Sequence, residues 1–287
     1  MNIIADTELI LTPENKIYHL NLSKHEIADD IILVGDPDRV TLISNKFDSI
    51  EYKIQNREFV THTGTLNGKK ISAIATGIGT DNIDIVINEL DALVNIDFQT
   101  RTINKTKKKL NLIRLGTSGA LQKDIEVDTF IVASYGLGFD GLAHFYENQE
   151  KLEKKMAISY TNHAKWPSKL ASPYFIKASS CLLEKFSGIK KGITATAPGF
   201  YGPQGRSLRL IPAISDLHEK METFRYKDKK ICNFEMETSA LYYLGQTLGH
   251  HTLTICAVIG NRLTKKYSKD YKKTVKKMID LVLNRIC

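Results

Sequence analysis

Ile31-Ile32-Leu33-Val34-Gly35-Asp36-Pro37-Asp38-Arg39-Val40 is the stretch that decides the fold. Four consecutive apolar residues have the length and character of a buried strand. Gly35 permits a tight turn, Asp36 is of a type that caps helices, and Pro37 fits a helix's first position. The stretch reads as a strand, Ile31–Val34, passing through a glycine turn into a helix, Pro37–Phe47. The same grammar recurs at Lys70–Thr76, a strand followed by Gly77-Ile78-Gly79 and a helix over Asn82–Val94. There Ile83, Val86, Ile87, Leu90 and Leu93 share one face at the helical period. Further strands are predicted at Leu112–Leu115, Thr129–Ser134, Gly192–Ala197 and Thr252–Ile259. Further helices are predicted at Pro173–Phe186, Glu237–Leu248 and Lys269–Arg285. Alternation of the two over the whole chain predicts an α/β fold in one domain, with the sheet in the middle.

Composition agrees with that reading. The 287 residues are 42% hydrophobic and 25% charged, enough apolar matter for a full core and too much for disorder. No apolar run is long enough to span a membrane, and the N-terminal stretch lacks the basic and small-residue features of a signal peptide. Cys181, Cys232, Cys256 and Cys287 are widely spaced, which predicts free thiols in a reducing cytoplasm and no zinc site. The excess of 40 basic over 32 acidic residues is concentrated in two clusters. One is Arg101, Lys105, Lys107, Lys108 and Lys109; the other is Lys265, Lys266, Lys269, Lys272, Lys273, Lys276 and Lys277. Neither is interleaved with a platform of aromatic rings, so both read as solvated faces rather than nucleic-acid grooves.

In an α/β sheet, sites gather at the carboxyl ends of strands. Gly35 to Arg39 forms a glycine turn at a helix N-terminus, an anion site in itself. Arg39 in the first turn opposes the helix dipole unless an anion is bound there. Arg114 sits inside an apolar strand just before Gly116-Thr117-Ser118-Gly119 and requires either a core carboxylate or an anion. Glu235 and Glu237 flank Met236 at a helix start. They are either favourable helix electrostatics or acceptors for two sugar hydroxyls.

Taken together and in order, GDPDRV (35–40), NREF (56–59), TGIG (76–79), RLGTSGA (114–120), FYGPQGR (200–206), FEMET (234–238) and VIGNR (258–262) resemble the trimeric and hexameric nucleoside phosphorylases, most of all their uridine-cleaving branch. The resemblance runs from about Tyr18 to about Arg262 and leaves residues 1–17 as an N-terminal extension. It implies a central mixed, twisted sheet flanked by helices. It implies a phosphate site of Gly35, Arg39, Arg114 and Thr117, with Arg57 reaching in from a neighbouring subunit. Ribose would meet Thr117, Met236 and Glu237, with His19 supplied across a dimer. The base would meet Phe200, Gln204, Arg206, Gly119, Phe234 and Ile259.

The resemblance further implies no cofactor beyond inorganic phosphate as co-substrate, no catalytic metal, and room for a monovalent cation near Glu58. The protein would be a cytoplasmic homodimer with shared active sites, or a hexamer, binding neither nucleic acid nor membrane. A uracil edge offers acceptor, donor, acceptor; an amide meets an acceptor and a donor, while a guanidinium meets acceptors only. Purine-cleaving relatives place an aspartate after the last core strand, where Ile259-Gly260-Asn261-Arg262 has none. The family loop usually reads Pro-Gly where this chain has Gly202-Pro203, and Gly205 replaces a larger residue. Two alternatives stand beside this reading: a purine phosphorylase or nucleosidase on the same fold, and a non-catalytic basic protein that binds nucleic acid.

Overall fold

Asp36 caps the first helix as expected, its side chain accepting from the Asp38 N–H at 3.0 Å. In the computed structural model, which describes residues 3–287, β1 (Asp30–Val34) runs straight into α1 (Pro37–Ser44). Then come β2 (Ser49–Asn56), β3 (Phe59–Leu66), β4 (Lys69–Ala75), α2 (Thr80–Asn95), the short hairpin β5 (Ile96–Asp97) and β6 (Thr102–Ile103), β7 (Asn111–Ala120) and β8 (Phe130–Gly138). They are followed by α3 (Lys154–Ala164), β9 (Tyr174–Lys177), α4 (Ser180–Lys185), β10 (Lys191–Thr196), α5 (Leu217–Thr223), β11 (Arg225–Tyr226) and β12 (Lys229–Glu235). The chain ends with α6 (Thr238–Thr247), β13 (His251–Asn261), β14 (Lys266–Tyr267) and α7 (Tyr271–Ile286).

The sheet is mixed, as the α/β reading requires. β1 lies parallel between β4 and β7, and β7 is parallel to β13. β3 and β2 extend the β4 edge antiparallel. On the other side β13 pairs antiparallel with β8, β8 parallel with β10, and β10 parallel with β12. β12 then returns to β7 through Asn233↔Ala120 and Phe234↔Gly119, so β7, β13, β8, β10 and β12 close a ring. The first half of β7 is bonded to β1 and its second half to β12. The ring therefore opens beside β1, and the strand ends there define a cavity. Closure was not legible locally, because it joins residues more than a hundred positions apart.

One expected element is corrected. Pro173–Phe186 is not a single helix; it is β9 followed by α4. Tyr174, Phe175 and Ile176 prefer extended backbone, and pairing with β8 buries all three. The hairpin of β2 and β3 is an addition to the sequence reading. The lysines of both basic clusters are exposed, and Lys272, Lys273, Lys276 and Lys277 line the outer face of α7, opposite the buried Val275, Met278, Ile279 and Val282. Of the N-terminal extension, residues 3–17 pack against the body: Leu9 and Ile17 are buried, and Arg101 donates to the carbonyls of Ile4 and Leu9 at 2.8 and 2.5 Å. Residues 1 and 2 lie outside the described residues. Among the described residues no helix is long and apolar enough to cross a membrane.

Candidate active site

The ends of β1, β7, β12 and β13 and the loop after β10 surround a cavity of about 520 Å³. Twelve residues that the resemblance implies for the site line it: Gly35, Arg39, Arg114, Thr117, Gly119, Phe200, Gln204, Arg206, Phe234, Met236, Glu237 and Ile259. Asp36, Pro37, Ile78, Ser118, Glu235, Gly260 and Tyr267 complete the wall.

Its floor is ionic. Arg114, 4% exposed, lies between Glu235 and Glu237, which are equally buried. Its Nη1 is 3.0 Å from Glu235 Oε2, and its Nη2 donates to Glu237 Oε2. The core-carboxylate reading of Arg114 is thus correct, yet it is not the whole account. Nε and Nη1 are buried without a hydrogen-bond partner, Nη1 because its approach to Glu235 has the distance but not the angle. A buried donor left unpaired costs ~1–3 kcal/mol, so Nε is the atom that the two carboxylates leave unserved.

Glu235 is tied down by the backbone N–H of Glu237 (3.0 Å) and of Thr238 (3.1 Å) and by the Thr196 hydroxyl (2.9 Å). It is in effect the cap of α6, placed at the last residue of β12. Glu237 accepts from Gly79 N–H at 2.9 Å, which fixes the glycine turn before α2 against the site. Burial, opposed by Arg114 and reinforced by the charge of Glu235, pushes the Glu237 carboxyl up to about 7. Arg114 is itself desolvated, but the two carboxylates outweigh burial and hold it charged.

The geometry needs two glycines. A Cβ at Gly116 would lie 2.2 Å from Arg114 Nη1 and 3.2 Å from Cys256 Sγ, so only glycine leaves the guanidinium its place. A Cβ at Gly35 would stand 3.3 Å from the Gly77 carbonyl, where the two glycine turns meet. Arg39 is mostly buried at the head of α1, with Asp36 Oδ2 3.7 Å from its Nε. Burial first, then the neighbouring Arg114 charge, lower its pKa against the help of Asp36. Two guanidiniums beside a helix N-terminus are the kind of group that can receive an anion.

At the other end of the cavity, Gln204 is 3% exposed on a single 3₁₀ turn, Gly202–Gln204. Arg206 Nη1 donates to Gln204 Oε1 and to the Phe200 carbonyl, both at 2.5 Å, and its guanidinium lies 3.6 Å from the Phe200 ring centroid. With Oε1 facing a permanent donor, the amide orientation is fixed: Oε1 keeps one lone pair for a further donor, and the NH2 is left for an acceptor. Behind this pair stands Arg262, whose Nη1 donates to the Gln204 carbonyl at 2.8 Å. Arg262 also stacks over Phe234, 5.1 Å from its centroid; burial, then repulsion from Arg206, lowers its pKa to about 10. Arg262, the last residue of the VIGNR motif, had no role assigned from the sequence. Asn261 beside it is spent on structure: its amide donates to the carbonyls of Gln122 and Ile125 at 2.9 and 2.7 Å.

His19, Arg57 and Glu58 do not line the cavity. Arg57 and Glu58 form the tip of the β2–β3 hairpin, Arg57 with a positive φ of 53°. Arg57 donates to the Tyr18 hydroxyl at 3.3 Å, and Asn56 Nδ2 to the His19 carbonyl at 2.8 Å. His19 Nδ1 lies 2.6 Å from Glu89 Oε1. His19 and Arg57 thus share one surface patch, separate from the cavity of their own chain. Among the described residues no cluster of three or more His, Cys, Asp or Glu is arranged to hold a metal.

Three comparisons bear on this site. The family model described as Phosphorylase superfamily matches residues 29–286. A uridine phosphorylase of Thermococcus kodakarensis is 30% identical over 265 residues, covering 91% of this chain and 83% of the relative. A DeoD-type purine nucleoside phosphorylase of Geobacillus stearothermophilus is also 30% identical, over 268 residues, covering 92% and 96%. Among solved structures, a Trypanosoma brucei nucleoside phosphorylase described as showing uridine phosphorylase activity superposes with a TM-score of 0.87 at 27% identity, covering 96% of this chain and 98% of that one.

Proposed function

The chain belongs to the phosphorylase superfamily, and from that premise we propose that it cleaves uridine with inorganic phosphate, giving uracil and ribose 1-phosphate. Relatives named for uridine and for purine nucleosides are equally similar, so overall identity does not choose the base. The observation that carries the choice is the far end of the cavity. Gln204 and Arg206 offer one acceptor-and-donor group and one pure donor, a match for the uracil edge. Where a purine would need a proton donor at N7, the wall is Ile259 and Gly260, and Asn261 is engaged with backbone.

In this reading phosphate lies against Gly35, Arg39, Arg114 and Thr117. It attacks C1′ from the face opposite the base, with inversion, as the glycosidic bond opens through an oxocarbenium-like state. Glu237 uses its remaining lone pairs for ribose hydroxyls, Met236 packs on the sugar, and Phe200 covers sugar and base. Gln204 and Arg206 take up negative charge on the departing uracil. The chain's work is positioning and electrostatics, with no covalent intermediate.

The test is turnover of uridine, thymidine, inosine and adenosine with and without phosphate. Phosphate-dependent cleavage with uridine far ahead of inosine is expected. Inosine matching uridine would overturn the base assignment, and cleavage without phosphate would make the protein a nucleosidase.

We also propose that the active site is completed by a second subunit. Within one chain Arg39 and Arg114 face Asp36, Glu235 and Glu237, so a phosphate dianion needs a further cation, and Arg57 is displayed on a separate surface. Arg57→Ala and Arg39→Ala proteins should each be inactive alone, and co-assembled they should regain activity, because a mixed dimer carries one intact site. Mixed dimers shown to form but devoid of activity would exclude the sharing.

A further inference from the structure

Gly205, where the family loop carries a larger residue, has a structural counterpart. Its φ is +65°, and a Cβ there would lie 2.8 Å from His218 Cε1 and 3.2 Å from Nε2. The imidazole thus takes the space that a side chain at 205 would fill. His218 is on α5, far from Gln204 in sequence, and does not itself line the cavity. Its Nε2 is 2.9 Å from the Gln204 carbonyl oxygen and 2.8 Å from Arg262 Nη1, and Arg262 Nη1 is 2.8 Å from the same carbonyl. The ring is edge-on to Phe234 at 5.7 Å, so it bridges the base loop, the end of β13 and the wall of the base end.

We propose that His218 is a positioning residue for the base loop: its neutral imidazole accepts from Arg262, and Arg262 in turn holds the Gln204 carbonyl, so that Gln204 and Arg206 meet the base in one fixed arrangement. The inference rests on the uridine reading and concerns how that recognition is held in place.

The available hydrogens assign the roles. Arg262 Nη1 carries two hydrogens and never accepts. An unprotonated Nε2 takes one and the Gln204 carbonyl takes the other; a protonated Nε2 would instead donate to that carbonyl at 2.9 Å and compete with Arg262 for it. A proton on Nε2 would set two donors against each other at 2.8 Å. The charges that face the ring are Arg262, from the end of β13, and Arg206, from the base loop; no carboxylate forms an ion pair with it among the described residues. Burial first, then Arg262, accordingly lower the imidazole pKa below its ordinary value, with only the Gln204 carbonyl opposing. The ring is neutral at neutral pH, and acid protonates it, adding a third cation and breaking the link.

Three proteins test this: wild type, His218→Ala and His218→Gln. The Gln side chain reaches the same place and presents an acceptor that does not titrate. His218→Ala should raise KM for uridine by about tenfold or more, the loss of a bond to a charged donor, while KM for phosphate stays within about twofold. His218→Gln should restore most of the uridine KM. In wild type, KM for uridine should climb as pH falls below about 6.5, the ordinary imidazole value. In His218→Gln that climb should be absent, and any acid limb common to both proteins belongs to other groups. An unchanged uridine KM in His218→Ala, no rescue by His218→Gln, or the same acid climb in both would overturn the proposal. If wild type fails to cleave uridine, the substrate reading falls and this inference with it; uridine cleavage with an indifferent His218→Ala removes this inference alone.

Discussion

Arg114→Met is expected to lose at least ~10²-fold in kcat/KM and to be markedly less stable, by about 3–5 kcal/mol. The two effects have different causes and can be separated. The kinetic loss follows from removing a guanidinium that lines the cavity together with Gly35 and Arg39, where the proposed mechanism seats phosphate. The stability loss follows from Glu235 and Glu237, both nearly inaccessible, which would remain without a counter-charge. The sequence leaves open whether Arg114 meets a core carboxylate or an anion; the buried carboxylate pair makes its loss a loss of stability as well.

The pH dependence gives a sign. Without Arg114 the Glu237 carboxyl loses the cation that lowers it, so its folded-state pKa stands further above the unfolded value of about 4.3. The folded protein then binds more protons than the unfolded chain between those values, so stability falls as pH rises through that window and recovers toward acid. The intact protein, with Glu237 already pushed up to about 7 by burial, has the same sign. Urea unfolding of Arg114→Met at pH 5 and pH 8 should therefore show the smaller deficit at pH 5. A second substitution, Glu235→Gln, should recover part of the stability and none of the turnover. Wild-type turnover by a folded Arg114→Met protein at saturating phosphate would remove Arg114 from the proposed mechanism.

Gln204→Ala is expected to cut kcat/KM for uridine by ~10²-fold or more while leaving KM for phosphate nearly unchanged, since the amide makes no contact with Arg39 or Arg114. Wild type should prefer uridine to cytidine and inosine by up to ~10⁴, because a pocket built of polar groups rejects a base that leaves them unpaired. Cytidine presents an acceptor at N3 and a donor at N4, so Arg206 would face a donor and the Gln204 carbonyl oxygen would lose its N–H. In the Gln204→Ala protein this preference should shrink, because the group that was left unpaired is gone. The measurement is kcat/KM for the three nucleosides at fixed phosphate. Equal losses on all three would show that Gln204 supports the loop without reading the base.

The positions of β1, α1 and α2 and the neighbourhood of the glycine turns were legible in the sequence, because a strand's apolar run, a helix's period and an Asp-Pro start are local features. Gly35, Arg39, Arg114, Glu235 and Glu237 were legible too, since strand ends in an α/β sheet converge, whereas Phe200, Gln204, Arg206, Phe234 and Ile259 were implied only by the family resemblance. Pro173–Phe186 was not, because its extended half exists only where β8 is there to pair with it. Only the tertiary structure closed the five-strand ring, since that pairing joins β12 to β7 across the chain. Only it gave Arg114 two carboxylates and still left donors over, an outcome fixed by angles and burial. The support behind the base loop was likewise invisible: Arg262 and His218 meet Gln204 from 58 and 14 residues away, and nothing in their own neighbours says which carbonyl they will hold. Local physics set the elements and the residue types at their ends; the partners of each charge were set by packing at long range.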